Sequence, residues 1–577
     1  MQARKLRRLL PFSTLRVGEK LSMLVLGIAS LDQDSGVALL DDKSILGAIE
    51  EEKLNRSLGL GNVPGLAMAR ILEQHGAQPA DLTVAALADL PQQARLRESG
   101  LGSKFSAKRK RRSSRDLRKS TSIPQLRQHL DRGVKLQQYE HHLSHAASAF
   151  YTSDFDRALI LTLDGGAASR CGQVSLGEKD EIRPLRTMQF PDSLGWFYSR
   201  ISVLLGLRPL FDEHKVQWLG RQGLPEYLPV FRKLFRTDRD GLPVLDSRYF
   251  AAGPDERGTF SPQFYRELKI HRDKFREDPA VCAALARSAQ LFLEETVLEI
   301  AHRFQAQTGA DSLCVAGGVF LNVLLVRALE TRSTFDRVHV QPVAGNAGTA
   351  LGAAFLARKK LSGKSGRAPM TTLALGPGLG SQEIKAVLDN CKIIYKYLSG
   401  EEQLIAESVK LLQRDKIVAW CQGRTEFGHR ALGNRSILAS PFSEYVIDNV
   451  NQYIKHRADF HPFALSVPAE RASEFFDCSP NCRFMASLGT LRNQVPGLEQ
   501  FAFNGREVRV HTVDKDSNPS FWRLLHKFGE TSPAPVLVNT SFNLFGEPLV
   551  SDPREAVRSF YCAGIDALAL GSFLVVK

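Results

Sequence analysis

At 577 residues, with 43% hydrophobic and 24% charged side chains, the chain has an ordinary globular composition but exceeds what one core accommodates, so two or more domains are expected. Its longest apolar runs are strand-sized, which excludes a membrane-spanning helix and a membrane partner; its eight cysteines form neither a CxxC pair nor an even framework, which points to a reduced, cytoplasmic protein. The net charge of +14 is concentrated in two arms, +5 in residues 1–22 and +8 in residues 104–119.

Residues 1–22 read as a basic extension ahead of the fold, because Met23 opens an apolar strand and no signal-type apolar segment follows Arg8. Met23–Leu40 and Ser44–Glu51 alternate like a β-hairpin turned at 41–43. An amphipathic helix is predicted over Val63–His75 and a strand over Thr83–Ala88. The Ser-, Lys- and Arg-rich segment 103–122 has no apolar face and reads as a solvated basic loop. It leaves nucleic acid open as a partner and also suits a lid over an anionic substrate. A strand at Lys135–Tyr139 and a helix at His141–Tyr151 precede the apolar strand Arg157–Asp164, which runs into Gly165 and Gly166. Mostly helical sequence follows from Ser193 to about Thr308. The strand Ser312–Ala316 opens into Gly317-Gly318 and a helix, then Arg337–Gln341, a Gly345–Gly352 turn and a last helix. Together these elements predict an α/β domain over 23–360, a linker at 361–371 and a second α/β unit over 372–577. No repeat at solenoid periods is present.

Three groups of residues suggest chemistry. His141 and His145 stand four apart on one helical face, the spacing of two ligands to one transition metal, and Asp164 adds a carboxylate at a strand end. Capping and surface roles for the histidines, and a plain turn at Asp164, are the alternatives. Gly317, Gly318 and Asn322, with Gly345 and Gly348, form two strand-to-helix glycine turns of the kind that face anions with backbone N–H groups. In the second half, Gly423–Leu438 packs Arg424, Arg430 and Arg435 with Glu426 and three glycines after an apolar strand. That composition suits a folded anion-handling loop, against the alternative of a surface loop with salt bridges. Lys455 and Arg457, two apart, and Ser541 and Asn543, two apart, complete a set suited to clamping phosphates.

Taken together these motifs resemble the O-carbamoyltransferase family, which includes nodulation-factor and aminoglycoside-antibiotic carbamoyltransferases. The likeness runs from Met23 to Lys577 and rests on Glu51–Arg56, His141–His145, Asp164, Ser193–Tyr198, Glu213–Lys215, Gly317–Asn322, Gly345–Ala353, Gly423–Leu438, Asn451–Val467 and Asn539–Pro548. It implies an actin/Hsp70-like split ATPase domain followed by a YrdC-like α/β domain. It further implies that Lys455, Arg457, Ser541 and Asn543 surround ATP and carbamate, with Arg430 and Arg435 beside them. The implied reaction makes carbamoyl adenylate from carbamoyl phosphate and ATP with Mg²⁺, then carbamoylates a small hydroxyl-bearing acceptor such as a sugar-containing metabolite. The transition metal implied at His141, His145 and Asp164 is iron.

The chain departs from the family at several points. Gln33 precedes Asp34 and Ser35 where the family has histidine, which keeps Asp34 among the candidate catalytic groups but removes an acid/base or orienting neighbour. Asn346 replaces an aspartate that would bind metal more tightly. His429 replaces proline, Ala458 replaces glutamate and His461 replaces arginine. These changes motivate a second reading, a nucleotide-binding homologue without transfer activity, and the basic loop motivates a third, an RNA-modifying carbamoyl-transfer enzyme. The sequence carries no signal for an oligomeric state.

Overall fold

The computed structural model describes residues 23–577 except 30, 32, 60–62, 89–122, 168–169, 252–259, 459, 493–494 and 504. The basic extension and most of the basic loop therefore lie outside the described residues. Strands β1 (Val25–Ile28), β2 (Gly36–Leu40) and β3 (Ile45–Glu50) form an antiparallel meander. The predicted first strand is thus two strands. Asp34, with φ 48°, sits in the turn between them. Helices α1 (Glu52–Asn55) and α2 (Gly65–Gln74) lead to β4 (Val84–Ala88) and β5 (Lys135–Tyr139), which join the same sheet in parallel. The order is β3-β2-β1-β4-β5.

Helix α3 (His141–Phe150) crosses to a second sheet built from β6 (Arg157–Ala167), β7 (Arg170–Glu178) and β8 (Glu181–Gln189). β6 continues past Asp164 instead of ending there, and its pairing with β7 shifts register between Leu163 and Ala167. Sequence reading missed β7 and β8, in part because β8 mixes charged and apolar residues without clean alternation. Helix α4 (Leu194–Leu204), a short ribbon of β9 (Phe235–Thr237) and β10 (Pro243–Leu245), and the long α5 (Pro279–Thr308) follow. They precede β11 (Ser312–Ala316), α6 (Val323–Arg332), β12 (Arg337–Val340) and α7 (Thr349–Ser362). β11 and β12 add to β6 in parallel, giving the order β12-β11-β6-β7-β8.

The two sheets have one topology: an antiparallel meander of three strands, with two parallel strands added beside its first strand. This duplication, with helices packed between the sheets, is the actin/Hsp70-like split ATPase fold. α3 and α7 pack together between the copies, and glycine permits the approach. A Cβ at Gly352 would collide with the Ser144 carbonyl, and one at Gly27 with the Ala350 carbonyl. Burial of Ala147, Phe150, Ala350, Ala354 and Phe355 in one apolar cluster holds this layer.

Residues 363–371 lie along the first half, with Ala368 N–H on the Tyr151 carbonyl and Met370 N–H on the Thr152 carbonyl. Beyond them lies a ten-stranded sheet. Its strands are β13 (Lys396–Tyr397), β14 (Val418–Cys421), β15 (Arg435–Ala439), β16 (Ala464–Pro468), β17 (Phe476–Asp477), β18 (Gly489–Leu491), β19 (Glu507–Val513), β20 (Leu537–Ser541), β21 (Ala567–Leu570) and β22 (Phe573–Val576). Its order is β13-β22-β21-β14-β15-β20-β16-β19-β18-β17. Alternate residues of β14 enter separate cores, Ala419 and Cys421 on one face and Val418 and Trp420 on the other. Among the described residues no helix is long and apolar enough to cross a membrane.

Candidate active site

In the first half, Glu140 caps α3 by accepting from Leu143 N–H, which fixes the helix start and the two histidines behind it. His141 Nε2 lies 3.1 Å from Asp164 Oδ2 and 3.1 Å from His145 Nε2, and His145 Nε2 lies 3.4 Å from the same carboxylate oxygen. Ligands about 2.0 Å from a tetrahedral metal are about 3.3 Å apart, so the three atoms fit one transition metal. Both histidines are buried, and their Nδ1 atoms have no partner. Burial works against ionisation of Asp164, but hydrogen bonds from His141 and His145 hold its carboxyl well below the usual range. His142 points elsewhere, with Nδ1 3.0 Å from Thr162 Oγ1.

The glycines divide into packing and open positions. Gly317 has φ 101° and a Cβ there would strike the Leu163 carbonyl; one at Gly348 would strike the Val343 carbonyl. Gly318 faces Asp164, and Gly345 approaches only the Leu321 side chain. Asn322 is committed to structure: it caps α6 through Leu325 N–H at 3.1 Å and is paired with Gln290. Asn346 donates to the Gln33 carbonyl at 3.4 Å. Asp34 is reachable by solvent but enclosed by protein. Burial, then the Asp164 and Glu50 carboxylates, push its pKa up to about 6.

In the second half the structure brings Lys455, Ser541 and Asn543 together. Lys455 Nζ donates to Asn543 Oδ1 at 2.6 Å, to the Ser541 carbonyl at 2.7 Å and to Ser541 Oγ at 3.1 Å. Lys455 and Arg457 do not lie in an extended segment as expected. Lys455 ends a π-helical stretch from Asn449 and His456 is left-handed, which re-aims the chain before Arg457. Burial, then Arg457, drives the Lys455 ammonium pKa well down. Arg457 Nε donates to Asn451 Oδ1 at 2.7 Å, and its guanidinium sits 4.5 Å over the Phe463 ring. Its Nη2, together with Asn451 Nδ2 and Arg509 Nε, is buried without a partner. Three orphaned donors make this region short of acceptors.

The arginine-rich loop is organised differently from its sequence expectation. Arg435 is fully buried in β15, with Nη1 on the Gln422 and Asn434 carbonyls and Nη2 on the Gly423 carbonyl. Arg424 likewise donates to the Gly376, Leu375 and Leu46 carbonyls. Both guanidiniums brace backbone. Glu426, also fully buried, accepts from the N–H groups of Leu432, Asn434 and Arg435 at 2.7, 2.9 and 3.2 Å. His429, by contrast, is exposed and Arg430 half-buried.

A chain of electrostatic neighbours joins the two clusters. Asp34 senses Asp164 and Glu50; His429 senses Arg509, Lys53 and His214; His461 senses Arg457 and His214. The His214 and His461 rings are 5.7 Å apart. Burial lowers His461 to about 4 and Arg509 and Arg457 to about 10, and the surrounding protein and its cations lower the solvent-exposed His214 and His429 as well. Sequence reasoning missed Arg509, because a lone arginine alternating with apolar residues in a strand carries no motif. It quoted the segment Glu51–Arg56 only for its resemblance, without seeing that it bridges the two halves.

The architecture joins an actin/Hsp70-like fold carrying a His/His/Asp cluster to a second α/β unit carrying a cluster of Lys455, Ser541 and Asn543. The "Carbamoyltransferase N-terminus" profile matches residues 24–355 and the "Carbamoyltransferase C-terminus" profile residues 409–577. The chain belongs to the carbamoyltransferase family, and it is a transferase. It is 31% identical to nodulation protein NolNO of Sinorhizobium fredii, over 94% of this chain and 79% of that one. It is 32% identical to nodulation protein NolO of Bradyrhizobium diazoefficiens, over 76% of this chain and 78% of that one. Among solved structures it is similar to the T. kodakarensis HypF at 15% identity, TM-score 0.32, over 59% of this chain and 48% of that one, a likeness too small to carry weight.

Proposed function

We propose that the protein is an ATP-dependent O-carbamoyltransferase whose YrdC-like second half forms carbamoyl adenylate and whose first half transfers the carbamoyl group to a hydroxyl of a sugar-containing or other secondary metabolite. The observation that carries this reading is the Lys455–Ser541–Asn543 cluster beside the unpaired donors of Arg457 and Arg509. Phosphate oxygens supply the acceptors that those donors lack. Carbamoyl phosphate yields phosphate and carbamate with water. A carbamate oxygen then attacks the α-phosphorus of Mg²⁺-ATP, and pyrophosphate leaves. Lys455, Arg457, Arg509 and Arg430 stabilise the charge that builds on the phosphoryl oxygens. His429, His214 and His461 are electrostatic neighbours between the two clusters, and closure of the two halves around the intermediate would limit hydrolysis of the mixed anhydride.

At the first-half cluster the acceptor hydroxyl attacks the carbamoyl carbon and AMP leaves. Asp34 is the group placed to take the hydroxyl proton. Its raised pKa brings a carboxylate closer to neutrality, as a general base requires. His141, His145 and Asp164 would hold a transition metal such as iron. That ion would polarise the carbonyl or bind the departing phosphate. The test is pyrophosphate release by purified protein with Mg²⁺, ATP and carbamoyl phosphate. Release that depends on all three and is abolished in Lys455→Ala is expected; no release with the intact protein overturns the reading.

A further inference from the structure

The segment Glu50–Arg56 belongs to the first half by sequence, but three of its side chains, Glu50, Lys53 and Arg56, bond to the second. Glu50 and Lys53 pair at 2.8 Å, both buried. Together they grip the Gly428 peptide from two sides: Gly428 N–H donates to Glu50 Oε1 at 2.5 Å, and Lys53 Nζ donates to the Gly428 and Glu426 carbonyls at 2.6 Å each. Gly428 has φ 100° and immediately precedes His429 and Arg430. Arg56, itself left-handed, donates to the Leu549 carbonyl at 2.6 Å and the Pro548 carbonyl at 2.8 Å, and pairs with Glu547 and Glu555 at 3.2 Å each. Ser551 Oγ returns a hydrogen bond to the Lys53 carbonyl at 2.8 Å.

From Arg56 the contacts run on without a gap. Asn543 Nδ2 donates to the Glu547 carbonyl at 2.6 Å, and Asn543 Oδ1 accepts from Lys455 Nζ at 2.6 Å. In the other direction Glu50 pairs in register with Gly36, Glu51 N–H donates to the Ser35 carbonyl at 2.9 Å, and Asp34 lies next in the chain. One short turn therefore touches the Gly428 peptide of the arginine-rich loop and the loop that holds Asn543, and also ends beside Asp34.

We infer that Arg56 and Lys53 are positioning residues that tie occupancy of the Lys455–Asn543 cluster to the conformation of the Gln33–Gly36 turn, so that ligand binding in the second half orders the transfer site in the first. The inference rests on the proposed function for its ligand but concerns how the halves communicate. Such coupling needs an element whose contacts differ between bound and free states at both sites. The Glu547–Leu549 loop is the element we assign this role, because it contacts Asn543 and Arg56 at once.

Hydrogen–deuterium exchange on the full-length protein, with and without Mg²⁺-ATP plus carbamoyl phosphate, tests it. Wild type is expected to gain protection in peptides spanning 449–463 and 537–550 and also in those spanning 31–40. In Arg56→Gln and in Ser551→Ala the second-half protection persists, while protection at 31–40 is lost. Conservative Arg56→Lys restores part of it. Equal protection at 31–40 in wild type and both variants overturns the coupling, as does wild-type protection confined to the second half. Absence of protection at 449–463 in the wild type instead overturns the proposed ligand and not the coupling.

Discussion

Asn346 and Gln33, which replace an aspartate and a histidine of the family pattern, are hydrogen-bonded to each other, side-chain amide to carbonyl at 3.4 Å. Two departures far apart in sequence therefore meet in space, next to Asp34, whose carboxylate interacts with Asp164. An aspartate at 346 would add a negative charge to this neighbourhood.

Restoring that charge tightens metal binding. Asn346→Asp is expected to bind a divalent transition metal about tenfold or more tightly than wild type, whereas His141→Ala abolishes binding at this cluster. Metal content after dialysis against graded chelator measures both. Unchanged retention in Asn346→Asp would place residue 346 outside the ligand sphere.

Lys455→Ala removes the cation that joins Ser541 and Asn543. Pyrophosphate release is expected to fall by about 10²–10³-fold, in kcat more than in KM, because the ammonium acts on charge that develops during transfer. Arg435→Lys tests a different role. Its guanidinium braces three carbonyls, so the expected loss is thermal stability, with the KM for ATP following only as the loop loosens. Steady-state kinetics beside melting curves separate the two cases.

The acid limit of stability follows in part from His461. This buried imidazole is lowered to about 4 in the fold, first by burial, against about 6.5 in the unfolded chain. Between these values the unfolded chain binds more protons, so stability falls as pH drops from about 6.5 to about 4. His461→Gln removes this site, and urea midpoints are expected to show a shallower decline over this window. A decline as steep as in wild type would show that His461 does not contribute.

Gly352→Ala is expected to cost about 1–3 kcal/mol or more, since its Cβ meets the Ser144 carbonyl where α7 crosses α3. α3 carries His141 and His145, so the same variant loses metal affinity at temperatures where circular dichroism still reports a folded protein. Intact metal affinity in a destabilised variant would mean that the helix pair yields elsewhere.

Much of this was legible in the sequence. Strands such as Lys135–Tyr139 and Ser312–Ala316 emerged at their structural boundaries, because apolar runs between turn residues leave few alternatives. The His141/His145/Asp164 and Lys455/Ser541/Asn543 groupings also survive as contacts. Two kinds of information were missing. β7 and β8 lack a clean period, so the duplicated five-strand topology that defines the first half stayed hidden. The destination of a charged side chain is also not local information. Arg435 looks like Arg430 in sequence, yet one is fully buried and the other only half-buried, and Arg56 finds its partners nearly 500 positions away.

Glu426 gives the arginine-rich loop a property beyond shape. Three backbone N–H groups converge on one of its carboxylate oxygens, the arrangement by which a nest holds a bound anion. The loop thus carries its own internal anion and is wound without any ligand. Ordering it is not part of the cost of binding, and its closure should not weaken as salt screens an incoming phosphate. Exchange of Glu426 for glutamine would leave the contour but surrender that independence, turning a rigid wall into one that waits for its ligand.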